Sequence, residues 1–365
     1  MVNSNQNLIQ QNILLTNQNK LLEQMNNLLT RQTSALNSDK IFIDNIEHDE
    51  MRNGFLVTNH RKKLWNVQIG LINEFARICK KHNLKWFACC GTLLGAVRHK
   101  GFIPWDDDVD LCMLRPDYNK FIKIAAEEIK YPYFLDNCYN NRLESDETPD
   151  TLKNLPYINR EQEAFYFRNT FPSFPVLKIR DSRTTMIEFP DRKDTNQGMW
   201  IDVFPYDIVP PFTDEKHKSD FAVMREIMLA TFRAEFMRKV ISENKKTLLS
   251  YDELKKFLKL PFRQRGIYFD NFAERKFFHS EKIGEMRSYG LTQGGWSYDS
   301  KDFDEIVYLP FEGIELPAPS GWDNVLRSQY GDWQKPIFSP GHTREFFYSA
   351  DIPYTEYFRT SKLMK

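Results

Sequence analysis

Asp106-Asp107-Asp108-Val109-Asp110 places four carboxylates in five residues. Read as a strand, the run puts Asp106, Asp108 and Asp110 on one face. Three carboxylates a few ångströms apart repel strongly, and a divalent cation between them removes that repulsion. Hard oxygen ligands favour Mg2+ or Mn2+ over zinc. Phe102-Ile103-Pro104-Trp105 precedes the run, and Val109, Leu111 and Met113 interleave with or follow it. A solvated acidic loop does not alternate in this way. A further carboxylate is expected from a neighbouring strand. Gly198-Met199-Trp200-Ile201-Asp202-Val203-Phe204-Pro205-Tyr206-Asp207 supplies Asp202, on the strand face of Trp200 and Phe204. Between Ile201 and Val203, Asp202 would be costly to bury without a cation or a donor. Asp207 is the reserve.

Cys90-Gly91-Thr92-Leu93-Leu94-Gly95-Ala96-Val97-Arg98-His99-Lys100-Gly101 lies just upstream. Glycine after a strand lets backbone N–H groups approach an anion, and a helix starting near Thr92 aims its positive end at that anion. Arg98, His99 and Lys100 add positive charge beside the turn, and Arg98 with Lys178 could balance phosphate charge. A quaternary ammonium cargo would need aromatic faces. Trp105, Trp200 and Tyr206, beside the acidic positions, are candidates, although each is equally explained as core.

These residues need elements to hold them. Leu64, Val67, Leu71, Phe75 and Ile78 predict an amphipathic helix from Lys63 to Asn83. Lys85–Cys90 reads as a short buried strand, Asp108–Met113 as a second, and Asp117–Lys130 as a helix. Val176–Ile179 and Met186–Phe189 are strand-like. Met199–Phe204 reads as a strand ended by Pro205. Residues 139–172 read as a long loop, 214–290 as helix-rich, and Trp322–Tyr330 as a helix. The fold class is therefore α/β (α+β), a mixed sheet flanked by helices. The divisions are an N-terminal segment at 1–39, a linker at 40–62, a catalytic core at 63–212 and a helical C-terminal region at 213–365.

Residues 1–39 carry leucines at spacing seven, Leu8, Leu15, Leu22, Leu29 and Leu36, with Asn5, Asn12, Asn19 and Asn26 on a parallel ladder. That pattern predicts a coiled-coil helix with polar register-setting layers, and hence a homo-oligomer. Among 365 residues, 50 Lys and Arg balance 50 Asp and Glu, which argues against nucleic acid as a partner. The five cysteines form no C-x-x-C pair, so zinc and disulfide frameworks are poor readings, and a reduced cytoplasmic setting is expected. No apolar run approaches the ~20 residues of a membrane span, and no secretory signal is expected. Residues 255–287 interleave Lys255, Lys256, Lys259 and Arg265 with Phe257, Tyr268 and Phe272. This face would suit peripheral contact with an anionic membrane, or simple packing on the domain.

The run from Gly91 to Asp110, with Ile201-Asp202-Val203-Phe204-Pro205 downstream, resembles the LicD family of phosphocholine transferases, as do fukutin and fukutin-related proteins. Lys178-Ile179-Arg180-Asp181-Ser182-Arg183-Thr184, Leu316-Pro317-Ala318-Pro319 and Tyr330-Gly331-Asp332-Trp333 resemble further family segments. The resemblance implies a nucleotidyltransferase-like fold in which Asp108 and Asp110 hold Mg2+ or Mn2+ and Asp202 completes the site. The candidate donor-binding residues are Gly91, Thr92, Arg98, His99, Lys178, Asp181, Trp105, Trp200 and Tyr206. The resemblance further implies transfer of a phosphoalcohol, phosphocholine first, from a CDP-alcohol such as CDP-choline to a hydroxyl of a surface glycan, which can be lipid-linked. CMP would leave, and the reaction would run in the cytoplasm or at the inner face of its membrane. Gly91-Thr92 departs from the Gly-Ser of the wider superfamily, and residues 1–39 lie outside the resemblance. The rival readings are nucleotidyl transfer from a nucleoside triphosphate and a non-enzymatic assembly scaffold.

Overall fold

A computed structural model describes residues 42–136, 176–188, 190, 195–209, 215–232, 234–275, 280–285, 296–338 and 347–360. The segment 1–39 read as a coiled coil and the segment 139–172 read as a loop lie outside these residues. The segment read as a linker carries a hairpin, β1 (Glu50–Arg52) and β2 (Phe55–Val57). Its turn residues Asn53 and Gly54 both take positive φ, as a two-residue hairpin requires. Helix α1 (Asn59–Lys81) begins four residues earlier than its apolar pattern, because the Thr58 hydroxyl accepts the Arg61 N–H at 3.2 Å and caps it. Leu64, Leu71, Phe75 and Ile78 are buried, as the periodicity requires.

The chain continues through β3 (Phe87–Ala88), α2 (Cys90–His99), β4 (Asp110–Leu114), α3 (Arg115–Glu128), β5 (Tyr133–Asp136), β6 (Leu177–Asp181), β7 (Thr185–Met186) and β8 (Met199–Val209). Helices α4 (Glu215–Phe232), α5 (Ala234–Ser242), α6 (Tyr251–Leu258) and α7 (Phe262–Arg275) follow. Strands β9 (Lys282–Gly284) and β10 (Tyr298–Asp299) come next, then the hairpin β11 (Ile306–Phe311) and β12 (Ile314–Pro319). Helix α8 (Trp322–Tyr330), β13 (Tyr348–Ser349) and α9 (Tyr354–Thr360) end the described chain.

Seven strands form one mixed sheet around the long strand β8. β8 runs parallel to β4 and antiparallel to β6 and β9, while β3, β5 and β10 extend the sheet from β4, β6 and β9. Pro205 does not end β8. The Asp202 N–H donates toward β4, to the Val109 carbonyl at 2.8 Å, so by alternation position 205 faces away from β4. There it falls in the gap between β6, which pairs as far as Val203, and β9, whose last residue Gly284 lies opposite Asp207, so its missing N–H leaves no ladder bond unmade.

Ile179, Ile201, Val203, Leu111 and Met113 join Trp65, Ile69, Ile72 and Phe75 of α1 in the main core. The helical stretch α4–α7 is an excursion between two paired strands, since Val209 of β8 lies opposite Lys282 of β9. It has a small core of its own, built from Ala230, Ala234, Met237, Leu254 and Leu258. A buried charge cluster ties it to the sheet: Arg115 holds both Asp207 oxygens at 2.7 Å and reaches Asp270 of α7 at 2.5 Å.

Candidate active site

The acidic run is divided between a loop and a strand. Asp110 alone of the four acids opens β4; Asp106, Asp107 and Asp108 precede it in a loop. The expected single strand face is therefore replaced by a folded loop, which brings one carboxylate oxygen from each of Asp106, Asp107 and Asp108 within 4.8 Å of the others. Asp106 and Asp107 are buried.

Three residues of α1 hold this loop by its backbone. Arg61 Nη1 donates to the Asp106 carbonyl at 2.7 Å and the Trp65 indole N–H to the same oxygen at 3.1 Å. Gln68 Nε2 donates to the Asp107 carbonyl at 2.9 Å and reaches the Trp200 carbonyl at 3.4 Å, which ties the loop to β8. Spacings of four and three set all three on one helix face. Sequence reasoning missed them; the one local signal is Gln68, a polar residue set at helical spacing among Leu64, Trp65, Leu71 and Ile72.

The sheet assembles the remaining charges in one row. Asp110 of β4 lies opposite Asp202 of β8, Asp202 opposite Lys178 of β6, and Lys178 opposite Asp136 of β5. Register partners project to the same face, with adjacent strands roughly 5 Å apart. Lys178 Nζ lies 3.0 Å from Asp202 Oδ1 and 3.4 Å from Glu188 Oε1. The Trp200 indole donates to Asp202 Oδ2 at 3.2 Å. Asp202 Oδ1 is buried and accepts no hydrogen bond, because the ammonium approaches it off the hydrogen-bonding direction. Burial pushes the Glu188 carboxyl up, but Lys178 and Arg180 outweigh it and hold the group below its ordinary range.

Helix α2 presents its N-terminus to the same place. A Cβ on Gly91 would stand 2.7 Å from Asp106 Oδ2, so only glycine leaves room for that carboxylate. The Thr92 hydroxyl accepts the Asp110 N–H at 2.8 Å, locking the first residue of β4 to the first turn of α2. Cys90, which begins α2, takes φ 48, a conformation that non-glycine residues rarely adopt.

Several candidates fall elsewhere. Arg98 and His99 end α2, about 10 Å of helix from Gly91, and Arg98 donates to the Trp333 carbonyl at 3.0 Å. His99 is not a cation: burial, with Arg98 and Arg52 beside it, lowers its pKa to about 4, and it accepts the Arg98 Nε–H at 2.9 Å. Asp181 lies on the strand face opposite Lys178 and is gripped by Arg183 at 2.6 and 2.9 Å. The reserve acid Asp207 likewise faces away from Asp202 and belongs to Arg115. Trp200 and Tyr206 stand six residues apart on β8, roughly 20 Å, too far for one ammonium cage. Each is also engaged within the protein. Lys178 and Arg180 lie 4.1 and 5.0 Å from the Trp200 ring centroid, Tyr206 stacks on Tyr298, and Trp105 packs edge-on against Phe55 and Phe338.

The residues fit a hard divalent cation. Asp106, Asp107 and Asp108 form the oxygen-only group, while Asp110 and Asp202 stand beside it on paired strands without joining that group. Asp202 Oδ1 is buried and accepts no hydrogen bond, with only the Lys178 ion pair against it.

A mixed sheet with a glycine-opened helix, an Asp-x-Asp pair leading into β4 and a further acid on the adjacent parallel strand agrees with the nucleotidyltransferase-like fold that the resemblance implies. Residues 83–215 match the family model described as LicD/FKTN/FKRP, nucleotidyltransferase domain. It is 27% identical over 273 residues to the lipopolysaccharide cholinephosphotransferase LicD of Haemophilus influenzae, covering 74% of this chain and 89% of that protein. An uncharacterised protein of Rickettsia prowazekii is 30% identical over 101 residues, 27% of this chain and 36% of its own length. One of Rickettsia typhi is 43% identical over 57 residues, 16% of this chain and 18% of its own.

Proposed function

We propose that this chain transfers a phosphoalcohol, phosphocholine first, from a CDP-alcohol to a hydroxyl of a cell-surface glycan such as lipopolysaccharide, with CMP as the leaving group. The observation that carries the reading is the register pairing of Asp110 with Asp202 beside the α2 N-terminus, inside a domain of this family. The named activity of the Haemophilus relative supports the choice of cargo and acceptor.

Asp108, Asp110 and Asp202 would hold Mg2+ or Mn2+, which supplies charge neutralisation for the diphosphate and the departing CMP. The chain's own contribution is positional. Gly91 and the first N–H groups of α2 leave space and donors for phosphate oxygens. Arg61, Trp65 and Gln68 fix the backbone of the acidic loop, so its carboxylates need no reorganisation when charge develops. An acid of this cluster orients the acceptor hydroxyl and takes its proton as the new O–P bond forms and the P–O bond to CMP breaks. With so few cations at hand, the site depends on metal to tolerate a diphosphate at all. No helix among the described residues is long and apolar enough to cross a membrane. A donor made in the cytoplasm and a lipid-linked acceptor would meet at the inner membrane face.

The test is product analysis. Full-length protein with CDP-choline, Mg2+ and lipopolysaccharide releases CMP and labels the glycan. Pyrophosphate release from a nucleoside triphosphate, without CMP, would replace this reading with nucleotidyl transfer.

A further inference from the structure

Lys178 contacts Asp202 directly, and its surroundings are unusual. Its ammonium has three neighbours at once: Asp202 Oδ1 at 3.0 Å, Glu188 Oε1 at 3.4 Å and the face of Trp200 at 4.1 Å. The side chain is buried, and strand pairing fixes its stem opposite Asp202. Its contact with Asp202 is an ion pair without a hydrogen bond, so Oδ1 keeps its lone pairs. Trp200 binds both partners of the pair, donating its indole N–H to Asp202 Oδ2 while its ring faces the ammonium.

We propose that Lys178 is a built-in counter-cation that stands in for the divalent ion at Asp202 and yields to it. The inference rests on the metal-dependent reading above. Asp110 and Asp202 are adjacent on paired strands, and without any cation their repulsion would push the strand starts apart. Lys178 supplies one positive charge from the side, enough to keep Asp202 in place. When a divalent ion approaches Oδ1, the ammonium is repelled but keeps its other contacts. Glu188, fixed by Arg180 at 2.6 Å, and the Trp200 ring already touch it, so a displacement of about an ångström moves it onto them without exposing a bare buried charge. Lys178 thus acts as a positioning residue through Asp202. It weakens metal binding in exchange for an ordered metal-free site.

The test is Mn2+ binding to the full chain, read from the free-ion electron paramagnetic resonance signal, with Mg2+ competition. Lys178→Met should bind Mn2+ at least ~5-fold more tightly than the wild type. Lys178→Arg, which keeps the charge, should stay near the wild-type value. In an Asp202→Asn background the Lys178→Met gain should vanish, because the competition runs through that carboxylate. Unfolding of Lys178→Met does not leave the idea standing or falling by itself, since Lys178→Gln offers the same charge removal and the same expected gain. Unchanged or weaker Mn2+ affinity in folded Lys178→Met or Lys178→Gln overturns the proposal while leaving the metal-dependent reading intact. Loss of CDP-choline binding in these variants at unaltered Mn2+ affinity would assign Lys178 to the donor phosphate and overturn it equally. Absence of Mn2+ binding to the wild type would remove both.

Discussion

Asp110 and Asp202 have the least freedom in the site, since strand register fixes the one beside the other. Asp110→Asn and Asp202→Asn should each lower kcat for phosphocholine transfer by about 10²–10³-fold, the loss of several kcal/mol of charge stabilisation. Asp110→Asn should not lower the melting temperature, because the amide relieves carboxylate repulsion at the same size, whereas Asp202→Asn removes a counter-charge from buried Lys178 and should lower it. Full turnover in either variant would leave the mechanism without its centre. Gln68→Leu should cost ~10–100-fold in activity with an unchanged circular dichroism spectrum, because it frees the acidic loop without touching the acids themselves. His99 provides a stability signature. Its folded pKa of about 4 lies below the ordinary 6.5, so the unfolded chain binds the extra proton first. The associated stability is complete above about pH 6.5, declines as pH falls, and is gone once pH drops through about 4. His99→Gln should flatten the fall of melting temperature across that window; an unaltered pH slope would show that the ring is not held neutral. At this scale the acid types and their partner on a second strand were legible in the sequence. The neutrality of His99 was not, because it arises from burial among Arg98, Arg52 and Asn53, which spacing does not report.

Local pattern located the elements well where one physical signal dominated. The apolar stripe from Leu64 to Ile78 predicted α1, and the strand at Phe87–Ala88 and the helix at Trp322–Tyr330 fall where their residues suggested. It failed where a partner strand decided the outcome. Pro205 is a strand breaker by type, but it sits where β8 changes partners, and no local rule shows that gap. Asp106 and Asp108 alternate like strand residues, yet Arg61, Trp65 and Gln68 capture the intervening carbonyls and bend the segment into a loop. The glycines of α2 give element-scale tests. Gly91→Ala drives a methyl into the Asp106 carboxylate and should cut activity while sparing the fold. Gly95→Ala meets the Gly101 carbonyl, a backbone atom that cannot step aside, and should cost ~1–3 kcal/mol in urea denaturation. A neutral Gly95→Ala would mean that the α2–Gly101 approach is looser than described.

Across the whole molecule, the Arg115–Asp207–Asp270 cluster joins the sheet to the helical excursion. Burial raises the Asp207 carboxyl although Arg115 opposes the shift. Asp270→Ala leaves the buried guanidinium with one partner fewer and should destabilise the protein by ~3–5 kcal/mol, whereas Lys282→Ala at the half-exposed Asp299 pair should change stability by less than ~1 kcal/mol. Equal losses for the two would deny the cluster its special standing. The long-range tie from Arg115 to Asp270 joins residues too distant in sequence for any motif to pair them. The pairing of Val209 with Lys282 carries one more implication. Chain leaves and rejoins the sheet at neighbouring points, so helices α4–α7 amount to an oversized hairpin tip. Evolution can exchange such a tip for another, large or small, while the strands that carry the chemistry keep their order.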